Sequence, residues 1–241
     1  MPSFLDLSSP PARVLVVVAH PDDIDFGIAG TVAALTEAGT SVHYALATSG
    51  EAGPPEEAER DVVKDLRERE QRAAAAVVGV HDVRFLGLPD GHLVPGLELR
   101  REIARVIRDV RPELVIAQSS ERRYDRIYAS HPDHLAVGEA TLAAVYPDAR
   151  NPHAHVDLLE QGLAPHTVPE VWIAHLDPPD VFVDVTDVFE RKVAALSSHA
   201  SQVAWIEDVA GFLRGWAAGI TKQHGLPEGR LSEAFRRVVT A

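Results

Sequence analysis

The chain has 241 residues, 46% of them hydrophobic, with 36 acidic against 23 basic residues for a formal charge of −13, and no cysteine. That apolar content supports a substantial core, and the missing thiols exclude disulfides, thiolate metal sites, iron–sulfur clusters and a cysteine nucleophile, so any metal must rest on His, Asp or Glu. The negative charge excludes nucleic acid and anionic membrane surfaces as expected partners, because both are held by Lys and Arg.

Arg13 to Ala19 is a β-branched run that predicts a central parallel strand buried on both faces. It is too short for a membrane helix, and Pro10 and Pro11 stand where a secretory leader would carry its charges, so the expected location is the cytoplasm. Asp25 to Ala38 has helical spacing and stops at Gly39, and Ser41 to Ala47 reads as the next strand. A Gly/Pro/Glu-rich loop then leads to a charged helix, about Glu59 to Val78, and a strand from Val83 to Leu86. Leu97 to Val110 predicts a helix ended by Arg111-Pro112, followed by a strand from Leu114 to Ala117. Another helix begins at or just after His131-Pro132, proline suiting a first turn. Residues 147 to 169 are the least regular; strands at Val171 to Ala174 and Val181 to Val185 follow, and two helical segments close the chain. Alternating strands and helices, with neither repeat nor linker, imply one α/β domain over residues 1–241: a three-layer sandwich of a mostly parallel sheet with helices on both faces. Ligands of such sheets bind beyond the carboxyl ends of the strands, where the polar clusters of this chain fall.

Two of those clusters are His20-Pro21-Asp22-Asp23 and His131-Pro132-Asp133-His134. Each places candidate donors at i and i+3, one face of a first helical turn, so His20, Asp23, His131 and His134 converge as candidates. A catalytic zinc commonly takes three His or carboxylate ligands and keeps a position for water, whose pKa it lowers toward about 7. His20, Asp23 and His134 would supply that set, Asp22 suits a general base, and a protonated His131 suits the oxyanion and the leaving amine. Spacing alone does not decide which aspartate of the pair binds metal. Capping by Asp before a helix explains either segment singly but not both together.

With these segments stand TSGEAG (Thr48 to Gly53), Arg67-x-x-Glu70 on the charged helix, FLGLPDG (Phe85 to Gly91) and LSSHASQ (Leu196 to Gln202). In that order they resemble the LmbE-like, or PIG-L, family of N-acetylglucosaminyl deacetylases, over roughly residues 13 to 202. The resemblance implies a Rossmann-like fold, zinc on His20, Asp23 and His134, Asp22 as general base and His131 as acid or electrostatic group. It also implies Arg67 and Asp90 as sugar-pocket residues and an N-acetylated sugar conjugate as substrate, cleaved by attack of zinc-activated water. Ferrous iron is the alternative metal, since a His/His/Asp set accepts either. With only three lysines, at 64, 192 and 222, the chain has a GC-rich signature, which favours a mycothiol-type precursor or a natural-product glycoside. The chain departs from the family at Ile24, where Glu is frequent, and at Ala129, where some relatives carry the tyrosine that this chain has at Tyr128.

Glu51 is as well explained by a solvated acidic loop as by substrate contact, and His153 and His155 by a surface loop better than by a second metal. His199 reads as a core hydrogen-bonding residue, and Trp172, Trp205 and Trp216 as packing residues. Three rival readings are a dinucleotide enzyme, a noncatalytic metal- or sugar-binding member of the fold, and an amidase acting on a non-sugar amide. Gly27 and Gly30 do not form G-x-G-x-x-G, which opposes the first. A purely structural zinc would need neither Asp22 nor His131, which opposes the second. Association into a homo-oligomer stays open.

Overall fold

A computed structural model describes residues 2–124 and 127–241, with the backbone alone for Tyr128 and Ala129. The tyrosine departure at those two positions therefore lies outside the described side chains. The strands are β1 (Arg13–Val18), β2 (Ser41–Leu46), β3 (Asp82–Phe85), β4 (Leu114–Gln118), β5 (Glu170–Ala174), β6 (Val181–Asp184) and β7 (Ser232–Val239). All join one sheet in the order β3-β2-β1-β4-β5-β7-β6. The first five strands pair in parallel, whereas β7 runs antiparallel to both β5 and β6. The helices are α1 (Asp23–Gly27), α2 (Ala29–Glu37), α3 (Arg60–Val77), α4 (Leu97–Val110), α5 (Pro132–Ala143), α6 (Val156–Glu160), α7 (Phe189–Ser197), α8 (Ala200–Val203) and α9 (Val209–Gln223). The fold is a Rossmann-like α/β fold.

The period-2 geometry of a strand explains the continuous apolar run of β1. Val14, Val16 and Val18 point into the core layer under α1, α2, α3, α7 and α9, while Leu15, Val17 and Ala19 point into the layer under α4 and α5. Helix α4 ends where expected, at Val110, with Arg111 in the left-handed region before Pro112.

Two expectations need correction. The single helix predicted from Asp25 to Ala38 is two, because Ile28 adopts non-helical backbone (φ −136) between α1 and α2. Residues 147 to 169 are largely irregular apart from the short helix α6. The chain closes on a strand, β7, rather than on two helices. Among the described residues no helix is long and apolar enough to cross a membrane.

Candidate metal centre and catalytic cavity

β1 pairs with β2 on one side and β4 on the other, so the crevice beyond the carboxyl ends of β1 and β4 is the topological switch point of the sheet. The backbone N–H of Ala19, just past β1, donates to Gln118 Oε1 at the end of β4 (2.9 Å), fixing the two loop exits together. His20 follows at once, and Pro132 starts α5 so that His131 caps its N-terminus.

The structure brings His20, Asp23 and His134 head to head. His20 Nδ1 is 3.2 Å from His134 Nε2, His134 Nε2 is 3.0 Å from Asp23 Oδ1, and His20 Nδ1 is 3.6 Å from Asp23 Oδ2. The far nitrogen, His20 Nε2, faces two carboxylates, Asp90 Oδ1 at 3.0 Å and Asp133 Oδ2 at 3.2 Å. With its proton held there, Nδ1 presents a lone pair toward Asp23 and His134, the tautomer that metal-ligating histidines acquire from a carboxylate behind them. Two imidazole nitrogens and one carboxylate around one point make a donor set that fits zinc or ferrous iron. Two further groupings are close enough to hold an ion, His20/His131/His134 and His20/Asp90/Asp133. In the second, the carboxylates are already engaged: Asp90 accepts from Ala52 N (2.9 Å), and Asp133 from Gly91 N (2.8 Å) and Leu93 N (3.2 Å).

Electrostatics asks for positive charge at this point. Burial opposes a charge on His20, yet hydrogen bonds from its ring to the carboxylates of Asp133, Asp23 and Asp90 hold its imidazole well above the ordinary value. Asp23, despite burial, is held well below the ordinary carboxylate range by His134 and His20. Asp90 is drawn down to about 2, its burial outweighed by His20 and by the amide of Ala52.

Asp22 is placed by strain and by clamps. It takes a left-handed backbone (φ 83) as the N-cap of α1. Gln71 Oε1 accepts from its N–H (2.9 Å), and Arg67 donates to its Oδ2 (3.2 Å), to Gly50 O (2.7 Å) and to Pro21 O (2.9 Å). Burial pushes the Asp22 carboxyl up to about 6 against the pull of Arg67. A carboxylate in that range is ionised at neutral pH and basic enough to take a proton. His131 Nδ1 accepts from Asp133 N (3.2 Å), which puts the ring proton on Nε2. Burial and the neighbouring His20 and His134 rings lower its pKa, so His131 is a neutral donor here rather than an imidazolium.

Arg67 is 5% exposed and Asp90 6% exposed, and each is committed to protein atoms behind Asp22 and His20. The sequence did not reveal how Asp90 and Asp133 share His20, because those partners are brought together by folding and not by spacing. Behind Asp22 lies a further chain: Gln71 Nε2 donates to Asp25 Oδ2 (3.0 Å), which also meets His199 Nε2 at 2.8 Å. Glu51 accepts from Asp90 N (2.9 Å). His155 pairs with Asp148 (3.3 Å), away from any described metal grouping.

The family described as PIG-L, GlcNAc-PI de-N-acetylase, matches residues 15–145. The chain belongs to the PIG-L family. Its relatives include the diacetylchitobiose deacetylase of Thermococcus kodakarensis, 33% identical over 94% of this chain and 83% of that protein. A probable N-acetyl-alpha-D-glucosaminyl L-malate deacetylase 2 of Bacillus anthracis is 33% identical over 87% of this chain and 89% of its own length. Among solved structures, the N,N'-diacetylchitobiose deacetylase of Pyrococcus horikoshii superimposes with a TM-score of 0.86 at 28% identity, covering 98% of this chain and 88% of that one.

Proposed function

We propose that this PIG-L member is a metal-dependent N-deacetylase that hydrolyses the acetamido group of an N-acetylglucosamine-type conjugate to acetate and the free amine. The observation that carries the proposal is the meeting of His20, Asp23 and His134 within 3.0–3.6 Å beside a clamped carboxylate, Asp22. His20, Asp23 and His134 are the residues that would hold the metal. When bound, it supplies a Lewis-acidic centre that polarises the acetyl carbonyl and makes water acidic enough to deprotonate near neutral pH.

The residues divide the remaining work. Asp90 and Asp133 keep the proton of His20 on Nε2, so Nδ1 stays available as a donor. Asp22 takes the proton of the attacking water and returns it toward the leaving nitrogen. His131, whose Nδ1 is occupied by the Asp133 N–H, has its ring proton on Nε2 to donate to the oxygen that gains charge as the carbonyl becomes tetrahedral. Arg67 and Asp90, both buried, hold Asp22 and His20 in place from behind. A noncatalytic binder has no use for Asp22 in a left-handed conformation under two clamps.

The experiment is acetate release from N-acetylglucosamine conjugates and from non-sugar acetamides by zinc-loaded wild type and Asp22→Asn. The substitution keeps shape and removes basicity. We expect turnover of the sugar conjugates to fall by roughly 10²-fold or more with metal content unchanged. Equal turnover by Asp22→Asn removes the base assignment, and preferential cleavage of non-sugar acetamides removes the sugar reading.

A further inference from the structure

A second cluster of reactive side chains lies at the opposite, amino-terminal end of the sheet, where β2 and β3 begin. Side chains of a strand alternate between faces, so Ser41 and His43 share one face of β2, and the parallel register sets Asp82 of β3 directly beside His43. Ser41 is exposed and His43 partly buried. The three stand in series: Ser41 Oγ is 3.1 Å from His43 Nε2, and His43 Nδ1 is 2.8 Å from Asp82 Oδ2. Arg84 clamps the carboxylate from behind, Nε donating to Oδ1 at 3.0 Å and Nη2 to Oδ2 at 2.8 Å, and is itself held by Asp109 of α4 at 2.5 Å. Arg13 of β1 is level with Ser41, and β1 runs on for about 17 Å, at ~3.3 Å per residue, before it reaches the metal crevice. The cluster is therefore separate from that site.

The order of partners fixes the protons. Hydrogen bonds from Arg84 hold the Asp82 carboxyl below the usual carboxylate range despite its partial burial, so at neutral pH Asp82 only accepts. His43 then carries its proton on Nδ1, and the Nε2 lone pair accepts from the Ser41 hydroxyl. A hydroxyl, the imidazole that takes its proton and a carboxylate that orients the imidazole are the parts of a serine nucleophile, which is recognised by geometry and not by position in the chain. The surroundings limit the substrate. The amides of Thr40 and Ser41 already donate to Leu35 O and Ala12 O, each at 3.0 Å, so they do not supply an oxyanion hole, a single donor of which is worth roughly 10²–10³ in rate. Positive charge beside the nucleophile comes from Arg13, the register partner of Ser41, anchored through Nε on Arg111 O at 3.0 Å. Such a site suits an ester with a good leaving group and does not suit an amide.

We propose that Ser41, His43 and Asp82 form a second, metal-independent site that hydrolyses activated esters, aryl esters above all, through an acyl-Ser41 intermediate. Ser41 Oγ attacks the ester carbonyl as its proton passes to His43 Nε2. The bond to the leaving oxygen then breaks, and that oxygen takes the proton from His43. Water repeats the sequence: it gives a proton to Nε2 and attacks the acyl carbon, and Ser41 Oγ leaves with that proton, so ester and water become carboxylic acid and alcohol. The serine ester has a poorer leaving group than the aryl ester and accumulates.

The test treats the full chain with a chelator, which silences the metal centre, and then supplies p-nitrophenyl acetate. The expected result is release of p-nitrophenolate roughly 10²-fold faster than by Ser41→Ala, the worth of a positioned general base, with an acetyl group found on Ser41 by peptide mass spectrometry after an early quench. Asp82→Asn, which keeps the shape but no longer holds the His43 tautomer, should lose both the acetyl-Ser41 and the excess rate while its urea midpoint stays near that of wild type. If Asp82→Asn does not fold, His43→Gln makes the same comparison. No acetyl on Ser41, acetyl on lysines or the N-terminal amine alone, or equal rates for wild type and Ser41→Ala overturns the proposal. A folded Asp82→Asn or His43→Gln protein that acetylates Ser41 at the wild-type rate also overturns it, because the hydroxyl then reacts without the relay. None of these results bears on the deacetylase reading, which concerns the zinc-loaded protein.

Discussion

Gly50 shows how a single residue serves chemistry it never touches. It lies in the left-handed region (φ +69), and a Cβ there would come within 2.3 Å of the Arg67 guanidinium, with Gly53 nearly as close to it. The glycines of TSGEAG are therefore the space into which Arg67 folds to reach Gly50 O, Pro21 O and Asp22. We expect Gly50→Ala to displace that guanidinium, lower kcat by at least tenfold and reduce stability by about 1–3 kcal/mol, with zinc content retained. Measuring kcat, metal content and urea unfolding on one preparation checks this; an unchanged kcat contradicts it. At this scale the sequence was most legible where donors are neighbours in the chain. His20, Asp22 and Asp23 lie within four positions and announce themselves. Asp90 and Asp133, which reach His20 from 70 and 113 residues away, look like a turn aspartate and a helix-cap aspartate until the chain is folded.

Among elements, α3, α7 and α8 form a support for the α1 turn. Ser201 donates N–H and Oγ–H to Glu70 (2.8 and 2.6 Å), and His199 meets Asp25 at 2.8 Å, with both of the latter fully buried. The Asp25 that follows Ile24 thus receives His199 and Gln71 and braces Asp22 from below. Burial opposes charge on His199, but Asp25 raises its pKa above the ordinary 6.5. A raised folded value means the pair stabilises fully below about pH 6.5, and that this contribution is lost as pH rises through the folded value. The stability gap between wild type and His199→Gln, read by urea unfolding across pH, should therefore be largest at pH 6 and shrink by pH 9. A gap that widens with pH contradicts the ion pair.

Helix and strand reading succeeded where one core layer dictates one period, as in α4, whose limits match expectation. It failed at β7. There Leu231, Ala234, Phe235 and Val238 repeat at i, i+3, i+4 and i+7, a helical period, yet the segment pairs antiparallel with β5 and β6. Only the unfilled sheet edge beside β5 decides the matter, and a local pattern does not contain that.

Over the whole molecule, β7 links the two ends of the chain. Glu233, 3% exposed, accepts from the N–H groups of Gly30 (3.1 Å) and Thr31 (2.7 Å) at the start of α2 and pairs with Lys192 of α7 at 2.5 Å. Removing one partner of such a buried pair leaves an uncompensated charge. Lys192→Met should therefore cost about 3 kcal/mol in urea unfolding, and Lys192→Met with Glu233→Gln distinctly less. Equal losses in the two contradict a pair coupled across α7 and β7. The same long-range closure fixes the crevice at β1 and β4, whose location beyond the carboxyl ends follows from the order of strands and was anticipated from their alternation with helices.

In the proposed function, deacetylation depends on a metal centre formed by His20, Asp23 and His134. The most direct test is metal content together with acetate release for the purified wild type and His134→Ala, before and after chelation and zinc return. The wild type should carry about one zinc per chain, lose activity on chelation and regain it with zinc, and His134→Ala should have neither metal nor activity. A wild type that releases acetate without metal, or a His134→Ala protein that keeps both, would contradict it.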